Sequence, residues 1–206
     1  MLKRVFDVAA STVALGLSAP LLVSVYLAVR LGSPGPGLFR QTRVGHEGRD
    51  FLLYKFRTMT VRPGAESGSF DAGDGRRVTR VGRVLRASKI DELPQFWNVL
   101  RGDMSVVGPR PEVRKWVECY PDRWAFVHQV KPGMTDPAAI VYRDEERLLA
   151  AEDDPEAAYR DRILPHKLSL YEDYVRRQSF LGDLVILGRT LLAVAIPSRS
   201  RPEGPR

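Results

Sequence analysis

Between Val8 and Val29 the chain runs 22 residues, VAASTVALGLSAPLLVSVYLAV, without a charged side chain. About 20 predominantly apolar residues are enough for a helix to cross the hydrocarbon core of a bilayer, so this stretch constrains the fold more than any other. At its centre stands Pro20, which has no N–H to offer the carbonyl of Gly16 and whose ring crowds that turn. A helix here is expected to bend or break. Cations flank both ends: Lys3 and Arg4 before the segment, then Arg30, Arg40, Arg43 and Arg49 after it. Loops with that bias tend to stay in the cytoplasm, so two ends that favour the same side predict a re-entrant hairpin over a single span, which is the competing reading. Ser18 and Ser24 are close enough in sequence to supply hydroxyls to backbone groups that the break leaves unpaired. A cleaved signal peptide fits poorly, because its apolar core is about 7 to 15 residues long and no small-residue cleavage site precedes Arg30.

Beyond this segment the 206 residues have the charge content of a globular protein, enough for one compact catalytic-sized unit. The net charge of +7 asks for a polyanionic partner: nucleic acid, an anionic membrane surface or a phosphate-rich substrate. One cysteine, Cys119, excludes an intrachain disulfide and fits a reducing compartment, and three scattered histidines, His46, His128 and His166, make a zinc cluster improbable. Neither a P-loop nor a dinucleotide glycine fingerprint is present, which argues against ordinary nucleotide triphosphatases and dehydrogenases.

The organisation reads as a membrane segment and a turn-rich hinge (residues 1–37), a catalytic domain (38–196) and a disordered tail (197–206). The expected fold is mainly α with a small β element, the latter from Phe51–Tyr54, which suits a short strand or a helix start. Residues 62–77, rich in Gly, Ser and Asp, form either a lid or a plain solvated loop. Leu93, Phe96, Trp97 and Leu100 recur at helical spacing and predict a buried helix face that ends at Gly102. A further helix is expected over Glu112–Val130, with Trp116, Tyr120, Trp124 and Val127 on one face. Residues 144–156 suggest an acidic, solvated helix, and 180–196 an apolar helix packed on the core or lying in the bilayer interface.

Chemistry concentrates between residues 55 and 110, where Lys55, Arg57, Arg76, Arg77, Arg80, Arg83, Arg86, Lys89, Arg101 and Arg110 surround one acidic pair, Asp91 and Glu92. That pair stands at or beside a helix start, where backbone N–H groups and neighbouring cations favour an ionised carboxylate. An ionised carboxylate is a competent nucleophile toward phosphorus; equally, Asp91 on its spacing alone could simply cap the helix.

At these residues the chain resembles the bacterial sugar transferase family, the monotopic phosphoglycosyl transferases. The likeness is carried by KRVFD at the start, the proline-broken apolar segment, YKFRTM (54–59), TRVGRVLRASKIDELPQFWNVLRGDMSVVGPRP (79–111) and KPGMT (131–135). It implies a re-entrant helix in the cytoplasmic leaflet of the bacterial cell membrane and a two-step exchange between a UDP-sugar and polyprenol phosphate. Asp91 would be the nucleophile and the Mg²⁺ ligand, and Glu92 its assistant. Lys55, Arg57, Arg86, Arg110 and Arg143 would bind phosphates, with Pro109 and Pro111 shaping the nucleotide side. Nucleic acid is not among the implied partners, and self-association is left open. Two departures stand out: the break is Ser18, Ala19, Pro20 where the family has Ser-Pro, and KPGMT is followed by Asp136 where many members have Gly.

Overall fold

The computed structural model describes residues 1–61 and 77–195, with the side chains of 194 and 195 excepted; the lid and tail expectations fall almost wholly outside this range. The apolar segment is helical throughout. Helix α1 (Leu2–Gly32) includes Pro20 and, at about 1.5 Å per residue, is some 46 Å of helix path. By length and composition it could cross a bilayer. The hydroxyls of Ser18 and Ser24 donate to the carbonyls of Ala14 and Pro20, one turn back, rather than to Gly16.

Both ends of α1 are fastened to the rest of the chain, and its middle is not. Near the start, Arg4 donates to the carbonyls of Val99 and Leu100, Lys3 donates to the carbonyl of Val107 and pairs with Asp183, and the buried Asp7 accepts from Ser105 and from the backbone N–H of Val106. The three charges of KRVFD thus anchor the helix. Towards its other end, Val25 and Val29 are buried with Phe56 and Leu85, and Leu22, Leu38, Val81 and Ile90 pack around them. Between these two attachments Val13, Leu17, Leu21 and Val23 are exposed.

The chain then forms an antiparallel hairpin of β1 (Leu38–Val44) and β2 (Asp50–Phe56), which settles the Phe51–Tyr54 run as strand. Helix α2 (Arg80–Ser88) leads into a single 3₁₀ turn, Ile90–Glu92, and α3 (Gln95–Arg101) follows. The expected face of α3 is rotated: Gln95, Asn98 and Val99 are buried, whereas Trp97 is exposed. The reason is polar. The Asn98 amide donates to the carbonyl of Leu52 and accepts from the N–H of Tyr54, so this side chain, and not the indole, is drawn against β2.

Strand β3 (Ser105–Val107) runs parallel to β4 (Gly133–Thr135), and the two approach very closely just beyond β3. A Cβ on Gly133 would lie 2.1 Å from the backbone nitrogen of Gly108, so only glycine fits there. Between them the expected long helix is two short ones, α4 (Arg114–Val117) and α5 (Pro121–Val127), because Pro121 cannot continue a helix and instead starts one. Helices α6 (Pro137–Val141), α7 (Glu145–Ala150) and α8 (Pro155–Ala158) follow, the last running through a π turn into α9 (Leu164–Arg177). The acidic region is therefore two short helices, and it is not wholly solvated: Leu149 is buried and Glu145 pairs with the buried Lys167. Helix α10 (Phe180–Ala195) exposes Leu181, Val185, Leu191 and Leu192 while burying Asp183. Among the described residues the fold is mostly helical with two small sheets.

Candidate active site

Thr79 accepts the N–H of Gly82 and starts α2, which ends at Lys89 in a left-handed conformation (φ 58°, ψ 13°). That reversal sets the next three residues in their own turn and directs Asp91 inwards. Asp91 is only 7% exposed, and its Oδ1 has no hydrogen-bond partner among the described residues. A buried carboxylate oxygen left bare is costly.

The cations pull this carboxyl down but are outweighed. Burial and the neighbouring Glu92 raise it to about 6 from an ordinary 3.8, and Lys55, Lys89 and Arg110 only moderate the rise. At pH 7 it is still roughly nine-tenths ionised. Glu92 goes the other way. Burial would raise it, but the charge of Arg110, together with a 2.6 Å hydrogen bond from its Nη2, holds Glu92 at about 2. Glu92 in turn raises the Arg110 guanidinium above its usual range. The adjacent carboxylates are thus pushed in opposite directions, one bare and raised, the other committed to an arginine and lowered.

Arg110 is placed by the β3–β4 contact. The Gly108 N–H donates to the carbonyl of Thr135 and the Gly133 N–H to that of Pro109, so the Pro109-Arg110-Pro111 loop is stitched to the KPGMT segment. From the other side Arg43 of β1 donates to the carbonyl of Pro111 and to Glu112. Glu112 is buried and also accepts from the Tyr159 hydroxyl, with Lys167 nearby. Lys55, on β2 and over the ring of its cross-strand partner Phe39, is lowered to about 8 by burial and by repulsion from Arg43 and Arg110, with Glu92 and Asp91 opposing. Asp136, at the family departure, caps α6 through the Ala139 N–H, is fully buried within the field of Arg110, and is raised to about 6 by burial.

Asp91, Glu92, Lys55 and Arg110 are therefore brought together. Arg57 is not with them: its guanidinium donates to the carbonyls of Pro36, Pro34, Ser33 and Val29 and to the Ser33 hydroxyl. In this structure it clamps the 32–37 segment, a use apart from the phosphate binding expected of it. Arg86 pairs with Glu146 at 2.9 Å, and Arg143 is half-buried just past α6. Sequence reasoning missed Arg43, Glu112 and Asp136, whose roles depend on contacts across more than 20 residues.

Residues 1–197 match the model of the family described as bacterial sugar transferase. The chain belongs to that family. It is 44% identical over 193 residues to a UDP-glucose:undecaprenyl-phosphate glucose-1-phosphate transferase of Caulobacter vibrioides, covering 92% of this chain and 68% of that protein. Identity is also 44%, over 145 residues, to a UDP-N-acetylgalactosamine-undecaprenyl-phosphate N-acetylgalactosaminephosphotransferase of Aeromonas hydrophila, covering 68% of this chain but only 34% of the relative. The exopolysaccharide production protein ExoY of Rhizobium meliloti is 35% identical over 211 residues, covering 95% and 86%. Equal identity to relatives named for two different sugars means that overall similarity does not choose between those sugars.

Proposed function

We propose that the chain transfers a sugar-1-phosphate from a UDP-sugar to a polyprenol phosphate and releases UMP. The observation that carries this reading is the bare, buried oxygen of Asp91 among Lys55, Lys89 and Arg110. In the first step an Asp91 oxygen bonds to the β-phosphorus of the donor, the bond from that phosphorus to the bridging oxygen breaks, and the electron pair leaves with UMP. In the second, an oxygen of the polyprenol phosphate attacks the same phosphorus and the bond to Asp91 breaks, which restores the carboxylate. Arg110 and Lys55 neutralise phosphate oxygens throughout. Glu92 is a weak base already bonded to Arg110, so it acts by holding that guanidinium in place.

A magnesium ion fits these residues in a limited way. No group of three or more His, Cys, Asp or Glu poised to hold a metal is found among the described residues, but Mg²⁺ is often held by one or two carboxylates with substrate phosphates and water completing its shell. The bare oxygen of Asp91 would hold it. Bound there, it would supply Lewis-acid neutralisation of the diphosphate.

The attachment of both ends of α1 to one body supports a re-entrant path, with Pro20 and the exposed Leu17 and Leu21 in the membrane and the site at the cytoplasmic face. A cysteine placed at residue 2 tests this: cytoplasmic labelling is expected, and periplasmic labelling would establish a span. For the reaction, UMP release from a UDP-sugar panel in the presence of polyprenol phosphate and Mg²⁺ is the direct test. Absence of UMP with every sugar would overturn it.

A further inference from the structure

The cations around Asp91 are not equally available. Arg110 is bonded to Glu92, Arg43 to Gln41, Pro111 and Glu112, and Lys55 lies half-buried over Phe39. Lys89 alone of these four is exposed. Among the described residues its ammonium makes no hydrogen bond or ion pair, yet it acts electrostatically on both Asp91 and Glu92.

Its backbone is equally unusual. Lys89 closes α2 in the left-handed region, where glycine or asparagine is the ordinary choice and a lysine carries a steric cost. Strain kept beside a reactive group is a reason to look for a use of the side chain. Position suggests the use. Ile90, the next residue, packs against the cluster that Val25 and Val29 of α1 form with Phe56 and Leu85, so the turn from Lys89 to Asp91 stands beside the apolar helix across that cluster. A phosphate whose apolar chain lay along α1 would come within reach of this turn.

We propose that the Lys89 ammonium binds the phosphate of the polyprenol phosphate acceptor and positions it against the phosphosugar carried by Asp91. This rests on the reaction proposed above. No proton moves to or from Lys89: the acceptor oxygen forms its bond to phosphorus, the bond to Asp91 breaks, and the ammonium stays a point charge throughout.

Substituting glycine separates the two properties of this position, since Lys89→Gly relaxes the backbone and removes the charge, whereas Lys89→Arg keeps the charge. The experiment measures the KM for a polyprenol phosphate and for the UDP-sugar in detergent micelles, with the melting temperature of each variant. Lys89→Gly is expected to melt no lower than wild type, to raise the acceptor KM about tenfold, the worth of one charge-assisted contact, and to leave the UDP-sugar KM within about twofold. Lys89→Arg should restore the acceptor KM to within about threefold of wild type. An unchanged acceptor KM in Lys89→Gly would overturn the inference, and a rise confined to the UDP-sugar KM would move Lys89 to the donor. Inorganic phosphate that competes with the acceptor as strongly in Lys89→Gly as in wild type would also count against it. A wild-type protein that released no UMP would overturn the reaction itself.

Discussion

The joint at residues 33–37 and the turn at 89–92 are both served by cations from the same part of the sequence, with opposite results. At the joint, Arg57 meets five backbone carbonyls and a hydroxyl, and all of its hydrogen-bonding capacity is used on the fold. At the turn, one carboxylate takes one arginine and the other is left bare, with Lys55 and Lys89 close by and making no ion pair among the described residues. Lys55 and Arg57 are two residues apart. What separates a structural cation from a functional one is the supply of acceptors around it.

The comparison breaks most severely at Asp91. Asp91→Asn keeps the shape of the turn and removes the proposed nucleophile, so turnover should fall at least about a thousandfold. The same variant has a stability signature in metal-free buffer. The folded pKa of about 6 lies above the ordinary 3.8, so between these values the folded state holds the extra proton and stability falls as pH rises. Asp91→Asn should therefore melt above wild type at pH 8, with the gap closing towards pH 4; a variant that melts lower at pH 8 would show that the carboxylate is stabilising.

Arg110→Ala comes next, with an expected loss in kcat of about a hundredfold, because it removes the donor proposed to meet phosphate and frees Glu92 from its partner. Arg57→Ala should reverse the pattern. Losing a buried set of bonds to the joint is expected to lower the melting temperature by several degrees, roughly 2 to 4 kcal/mol of stability, while kcat changes by less than about threefold. A large kcat loss without loss of stability would return Arg57 to the site. Smallest of all is Arg86→Ala: its pair with the exposed Glu146 contributes about 0 to 1 kcal/mol, and activity within about twofold of wild type would place it outside the site.

How much of this was legible depended on range. The helix at 180–195 follows from local pattern and appears as such, whereas the run at Phe51 is open between strand and helix start until its pairing with β1 decides it. The acidic pair could be located because it interrupts a basic run. Its electrostatics could not, since counting nearby cations ignores burial, which is the larger effect on Asp91. Trp97 misled for a related reason: spacing placed it on the buried face, but the hydrogen bonds of Asn98 to β2 decide which side of α3 turns in. The roles of Lys3, Arg4 and Asp7 were hidden in the same way, because their partners lie 95 to 180 residues further along the chain.

The most direct test is to incubate the protein with a UDP-sugar and Mg²⁺ without acceptor and to measure its intact mass. A gain of one sugar phosphate, mapped to the peptide that contains Asp91, absent from Asp91→Asn and lost on adding polyprenol phosphate, is the predicted result. Product formation with the adduct on another residue, or undiminished turnover by Asp91→Asn, would contradict it.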